Sequence, residues 1–227
     1  MKVKGVIFDL DGTLLDSMHI WHDVDKLFLA ECGVEAPPDL AENIKMMTID
    51  MCVEYFRKSL GVSLSADMVK KRCAELMADF YTTRVQAKPH AGELLRHLKK
   101  LGIKMCVATA NDPVLAANAL ANVGFAEYFE FVLTCGEADA PKTDGKIYRI
   151  CAERLGVHPS EAIVMEDAMH GIISANGEGF MTVGVFDESF ESEADKIREI
   201  CDIYAEDFAS LLDSRVFERL LKGGGAA

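Results

Sequence analysis

The chain is poor in the residues that build nucleic-acid clamps, membrane spans and extracellular staples. Cations are scarce: 24 Lys and Arg stand against 37 Asp and Glu, a formal charge of -13 at pH 7. Nucleic acids and anionic membrane surfaces recruit Lys and Arg, so neither is expected as a partner. A local cation and one lysine can still invert the field at a single site, which leaves small phosphorylated molecules open. No apolar run approaches the roughly 20 residues that a membrane helix needs. Cys-x-x-Cys spacing is missing as well. The seven cysteines, at 32, 52, 73, 106, 135, 151 and 201, are widely scattered among mostly apolar neighbours. An odd, dispersed set reads as free thiols in a reducing compartment, not as a disulfide or zinc framework. The amino terminus enters an apolar run without a signal-peptide pattern, so the expected location is cytoplasmic. The histidines at 19, 22, 90, 97, 158 and 170 show no metal-ligand spacing.

What the chain does have is enough apolar residue for a large core. Half of the 227 residues are hydrophobic, which suits one α/β domain, alone or with a small insert. Val6, Ile7 and Phe8 form a short β-prone run of the kind buried on both faces of a parallel sheet. Asp9 and Asp11 stop it, and Gly12 lets the chain turn at once. Asp-Leu-Asp-Gly is also the composition of an ordinary solvated turn. At the carboxyl end of a buried strand, however, two such carboxylates sit where open α/β sheets place ligands. They suit a nucleophile beside a general acid or base, with a hard cation holding the charges together.

After Ser17 the period changes from strand to helix. Ile20, Trp21, Val24, Leu27 and Phe28 form an apolar stripe, and Gly33 is placed to cap it. A second helical pattern follows Thr48, with Cys52, Val53 and Phe56 on one face. A third begins near Ser65 and puts Met68, Val69, Leu76, Met77 and Phe80 inside. Nothing between about 16 and 86 reads as a strand, and Trp21, Met46 and Met47 read as core of this helical insert. Beyond Lys88-Pro89-His90, helices alternate with apolar runs at 103–108, 131–133, 162–165 and 181–185, and one last helix is expected over 208–221. The alternation implies a doubly wound parallel sheet, an α/β Rossmann-like core over 1–15 and 87–222. A helical cap over 16–86 and a frayed tail over 223–227 complete the expected domains.

Further strand ends carry chemistry. Thr109-Ala110-Asn111 follows the 103–108 run and precedes a helix opened by Asp112 and Pro113. A hydroxyl and backbone N–H groups at a helix start make a phosphate site, and equally a plain cap. Lys142 stands in an acidic stretch with Glu137, Asp139 and Asp144, where a solvated surface lysine is the ordinary outcome. Glu166 and Asp167 end the 162–165 run as a second acidic pair. Four carboxylates at neighbouring strand ends repel one another, and a divalent cation removes that penalty. Oxygen ligands alone point to magnesium.

Phe-Asp-Leu-Asp-Gly-Thr-Leu-Leu-Asp-Ser, residues 8–17, resembles the first motif of the haloacid dehalogenase-like superfamily along its whole length. Thr109 is similar to the second motif, Lys142-Thr-Asp-Gly-Lys-Ile-Tyr148 to the third and Glu166-Asp-Ala-Met-His-Gly171 to the fourth. The third departs from the family, which commonly has Pro-Asp where Gly145-Lys146 stand; Lys146 is therefore a second candidate behind Lys142. The resemblance implies Asp9 as nucleophile, Asp11 as general acid and base, and Thr109 and Lys142 as phosphate-binding residues; the backbone N–H groups of Ala110 and Asn111 at the helix start complete that candidate set. It implies Mg2+ held by Asp9, Asp11, Asp167 and Glu166. A cap between the first and second motifs is similar to the beta-phosphoglucomutase and phosphoglycolate phosphatase branch. The expected function is hydrolysis of a small phosphorylated metabolite through an aspartyl-phosphate. A sugar phosphomutase is the alternative within the fold, although Trp21 stands where the mutases carry a histidine, with His19 and His22 nearby. A non-catalytic phosphate-binding or regulatory protein is the alternative of another class. Lys45, Met46, Met47 and Thr48 are candidates for substrate selectivity. Oligomeric state has no signature in the chain.

Overall fold

The computed structural model describes residues 2–44, 47 and 49–223. Lys45, Met46 and Thr48, candidates for selectivity, lie outside the described residues. In chain order the elements begin with strands β1 (Gly5–Phe8) and β2 (Leu15–Asp16). Helices α1 (Met18–Glu31), α2 (Leu40–Ile44), α3 (Ile49–Lys58) and α4 (Ala66–Asp79) follow, the last running into a π-helical turn, Phe80–Arg84. Then come β3 (Gln86–Ala87), α5 (Ala91–Lys100), β4 (Lys104–Thr109), α6 (Pro113–Asn122), β5 (Val132–Thr134), α7 (Cys135–Ala138) and α8 (Lys146–Leu155). The chain ends with β6 (Ala162–Glu166), α9 (Met169–Gly177), β7 (Met181–Val185), α10 (Ala194–Ile200), β8 (Ile203–Ala205), α11 (Phe208–Asp213) and α12 (Arg215–Lys222).

Two compact units result, Met1–Asp16 with Val85–Ala227, and Ser17–Arg84. The first holds a six-stranded sheet in the order β5-β4-β1-β6-β7-β8, every neighbour parallel. β1 lies inside it, with Ile7 in register with Cys106 on one side and Val164 on the other. All four β1 residues are buried, as an apolar strand flanked on both edges and both faces must be. The buried face of α8, Ile147, Tyr148, Cys151, Ala152 and Leu155, joins Ile7, Cys106 and Val164 in one core. From β1 the chain steps outward to β4 and β5, then returns and steps to β6, β7 and β8 on the other side. That reversal opens a crevice at the carboxyl ends of β1, β4 and β6.

Four expectations need correction. The chain between 16 and 86 was expected to lack strands, yet Leu15 and Asp16 pair antiparallel with Ala87 and Gln86. The pair is only two residues long, too short to leave a pattern in sequence. β8 pairs parallel with β7 at the sheet edge, and with three partly exposed or edge residues it has no alternation to read. The last helix is two: Ser214 leaves helical backbone (ψ 115) and its hydroxyl caps α12 by accepting from Phe217 N–H at 3.3 Å. In the helical unit Phe28 stacks on Phe56 at 5.9 Å, with Val24, Val53, Val69, Leu76, Met77 and Phe80 buried. Trp21 and Met68, expected inside, are 45% and 54% exposed. An apolar stripe wider than the buried face of its helix leaves its edge residues in solvent. Met47 is half-buried. Among the described residues no helix is long and apolar enough to cross a membrane, and all seven cysteines are free thiols.

Candidate active site

Three parallel strands deliver the polar residues of the crevice. β1 leads into Asp9, whose N–H donates to Met165 O at 2.9 Å and so continues the ladder to β6 for one more residue. Gly12 takes φ 83, in the left-handed region, and donates to Leu15 O at 2.9 Å. This turn folds the chain back and leaves Asp11 beside Asp9. β4 ends at Thr109, and Asp112 caps α6 by accepting from Val114 and Leu115 N–H at 2.8 and 3.2 Å. β6 ends at Glu166, and Asp167 follows it.

Lys142 comes from outside the sheet, on a single 3-10 turn, Lys142–Asp144, between α7 and α8. Gly145 ends the turn at φ 73, a backbone that proline cannot adopt. The departure from the family pattern at this position is therefore built into the local chain path. The Ser174 hydroxyl, on α9, donates to Lys142 O and pins the turn from behind. Lys142 is buried, and its ammonium donates to Asp9 Oδ1 and, at 2.6 Å, to Glu166 Oε1. Lys146 points elsewhere: its ammonium donates to Asp139 O at 3.1 Å.

Of the candidates, Asp9, Lys142, Glu166 and Asp167 are brought into one buried group, and Thr109 is buried at the next strand end. Asp9, Glu166 and Asp167 present carboxylate oxygens within 4.8 Å of one another. The Asp11 carboxylate is not in that trio; it accepts from Asn111 Nδ2 at 2.9 Å. Asn111, a phosphate-binding candidate, thus turns its side chain to Asp11, while its N–H donates to Thr109 Oγ1 at 3.0 Å. Ala110 is exposed between them.

Residues with no expected role also enter. Thr13 is fully buried and its hydroxyl donates to Asp167 Oδ1 at 3.2 Å. The Tyr148 hydroxyl donates to Glu166 Oε1 at 2.8 Å. Lys88 donates to Asp187 Oδ2 at 2.7 Å, and this acid stands close enough to Asp167 to discourage its ionisation. A tyrosine on the apolar face of a helix needs a partner for its buried hydroxyl, but the sequence does not say which group that is.

The electrostatics run one way. Burial, only partly offset by Lys142, pushes Asp9 up to about 7, and the charges of Glu166 and Asp11 add to the rise. Burial and then the charges of Asp9 and Glu166 hold Asp167 well above the usual carboxylate range. Glu166 goes the other way: burial opposes its charge, but Lys142, the Tyr148 hydroxyl and the Ala168 N–H together lower it. Lys142 is desolvated too, yet Asp9 and Glu166 keep it charged. Burial and the Glu166 charge push the Tyr148 phenol well above its usual value, so it stays a donor. Three buried carboxylates thus share one buried ammonium. Asp167 Oδ2 is buried with no hydrogen-bond partner among the described residues. An orphan oxygen in an acidic trio is the donor set for a hard divalent cation, and the residues fit one.

Comparison with known proteins follows the same line. A family model described as haloacid dehalogenase-like hydrolase matches residues 6–185. Hexitol phosphatase A of Escherichia coli is 30% identical over 82% of this chain and 84% of its own length. The phosphorylated carbohydrates phosphatase of Thermotoga maritima is 25% identical over 78% and 82%. Among solved structures, a Thermotoga maritima protein assigned as a beta-phosphoglucomutase superposes with a TM-score of 0.81, covering 98% of both chains at 22% identity. At that identity the likeness speaks for the fold.

Proposed function

The chain belongs to the haloacid dehalogenase-like hydrolase family and is a phosphatase, and we propose that it hydrolyses a small phosphomonoester through a phosphorylated Asp9. The observation that carries this reading is the contrast between two neighbouring acids. Asp9 is buried and held by Lys142, whereas Asp11 is half-buried and held by Asn111. One is fixed as a nucleophile and the other is placed to exchange protons.

In the first step an Asp9 carboxylate oxygen attacks phosphorus, and the bond from phosphorus to the ester oxygen breaks. Protonated Asp11 gives its proton to that leaving oxygen. In the second step water attacks the phosphorus of the acyl phosphate, Asp11 takes the water's proton, and the bond to Asp9 breaks. Inorganic phosphate and free Asp9 result. Thr109 Oγ1 accepts from Asn111 N–H, which leaves its own proton to donate to a phosphoryl oxygen. Lys142 holds Asp9 in place and offsets the charge that gathers near it. Asp9, Asp11, Glu166 and Asp167 are the residues we propose to hold Mg2+, with the orphan Asp167 Oδ2 as a donor in waiting. The bound ion would supply Lewis-acid stabilisation of the transferring phosphoryl group.

The sugar and sugar-alcohol phosphates named for two relatives make a sugar phosphate the first substrate class to try. Free cysteines throughout fit a reducing, cytoplasmic setting. The test is phosphate release from a panel of sugar phosphates, phosphoglycolate and nucleotides, for the wild type and Asp9→Asn. Release is expected from the wild type with Mg2+, and with EDTA or in Asp9→Asn it is expected to fall by about a thousandfold or more. Release that survives in Asp9→Asn would overturn the covalent route. Isomerisation primed by a sugar bisphosphate, without phosphate release, would make the protein a mutase.

A further inference from the structure

We propose that Tyr148 is a positioning residue for this reaction: its hydroxyl fixes Glu166, and Glu166 fixes Lys142 on Asp9. The inference rests on the function proposed above and concerns the same site. Lys142 has two carboxylate acceptors, Asp9 Oδ1 and Glu166 Oε1. During turnover one of them changes, because phosphorylation converts the Asp9 carboxylate into an acyl phosphate. Glu166 is then the fixed anchor of the ammonium. Its usefulness depends on what holds its own carboxylate still.

Three donors do so. Lys142 at 2.6 Å and Tyr148 at 2.8 Å share Oε1, while Ala168 N–H reaches Oε2 at 3.2 Å. Ala168 ties one oxygen to the backbone ahead of α9, and Tyr148 ties the other to α8. Among the described residues, the tyrosine is the donor besides Lys142 itself on that oxygen. The phenol is fully buried in the core with Ile7, Cys106 and Val164, and Phe180 meets it edge-on with ring centroids 6.3 Å apart. The donor ring is thus packed into the core on its way to Glu166.

The helix facing this contact has been left open for it. A Cβ at Gly171 would stand 2.5 Å from Glu166 Oε1 and 2.9 Å from the Tyr148 hydroxyl. Any larger residue there would push the two apart. Core packing alone would be met by phenylalanine at 148; the hydroxyl is what reaches the site.

The test is steady-state kinetics of Tyr148→Phe with the best ester from the panel, alongside inhibition by orthovanadate, a mimic of the five-coordinate phosphoryl group. The ring and its packing are retained, so the variant is expected to stay folded by circular dichroism at the assay temperature. We expect kcat to fall about tenfold, KM to stay within twofold and the vanadate inhibition constant to rise about tenfold, since a hydrogen bond to a charged group is lost where the transition state needs it. A kcat and a vanadate constant both within twofold of the wild type would overturn the proposal. So would a loss of activity that tracks loss of folded protein. 3-Fluorotyrosine at 148, which keeps the hydroxyl, should restore kcat to within about twofold of the wild type; if it behaves like phenylalanine, the hydroxyl is not the cause. A wild type that releases no phosphate would bring down the function first and this role with it. A working wild type with an unaffected Tyr148→Phe brings down this role alone.

Discussion

Asn111 is held by both ends of its amide. Its Oδ1 accepts from Asp112 N–H at 2.8 Å, and its Nδ2 donates to Asp11 Oδ2 at 2.9 Å. The first bond settles which way the amide faces, so the side meeting Asp11 is the donor. A donor orients Asp11 without taking its proton-exchange role. Asn111→Asp keeps the shape and replaces that donor by an acceptor, setting two carboxylates against each other. We expect kcat to fall by at least about tenfold, and further than in Asn111→Ala, because repulsion is added to the loss of a bond. Steady-state rates of the two variants check this; equal losses would remove the oriented bond from the account. Asp9, Asp11, Lys142, Glu166 and Asp167 could be singled out in the sequence because they interrupt apolar runs or lie in short motifs. Thr13, Tyr148 and the side-chain role of Asn111 could not. They act across 154, 18 and 100 residues of chain, and no local pattern records such a distance.

α9 shows how an element can carry a rule against itself. Gly171 lies in its first turn, where alanine is ordinarily the better helix former by about 1 kcal/mol. Here the added methyl would meet Glu166 and Tyr148 inside contact distance. The overlap outweighs the propensity gain, because the groups it strikes are buried and hydrogen-bonded rather than free to move. Gly171→Ala is expected to lower the melting temperature by several degrees, on the order of 1–3 kcal/mol of lost stability. Scanning calorimetry reads it, and an unchanged or raised melting point would show that the pocket relaxes. The same scale explains what was legible in the fold. Apolar runs buried on both faces announced β1, β4, β6 and β7, and helix stops at Gly33, Gly102, Gly124 and Gly156 marked where the chain turned. β2, β3 and β8 span two or three residues each, too few for an alternation to repeat. The break at Ser214 has neither glycine nor proline to signal it. Selection of a capping hydroxyl there depends on where α11 and α12 pack, a tertiary matter.

At the scale of the whole molecule the acidic excess of the sequence reappears inside the site. The net charge of -13 is mostly solvated, but Asp9, Glu166 and Asp167 are not, and Lys142 answers only one of their three charges. Without a cation the fold therefore prefers Asp9 and Asp167 protonated, while Lys142 keeps Glu166 ionised. Burial raises Asp9 from 3.8 to about 7, and Asp167 moves in the same direction. In the unfolded chain both ionise near their ordinary values. Between about pH 4 and pH 7 the folded state thus binds more protons than the unfolded one, and stability falls as the pH rises through that window. A divalent cation removes the disadvantage by stabilising the ionised form, so its binding must release protons. The melting temperature of EDTA-treated protein is expected to drop between pH 5.5 and 7.5, and the rise produced by millimolar Mg2+ is expected to grow over the same interval, by several degrees. Differential scanning fluorimetry with and without Mg2+ at each pH measures both. The Asp167→Asn variant separates this cause from general acid effects: it removes the orphan carboxylate charge, so its metal-free melting curve should depend less on pH and its response to Mg2+ should shrink. A Mg2+ shift of equal size at pH 5.5 and pH 7.5 would mean that the ion binds away from these acids, and the metal site proposed here would be wrong.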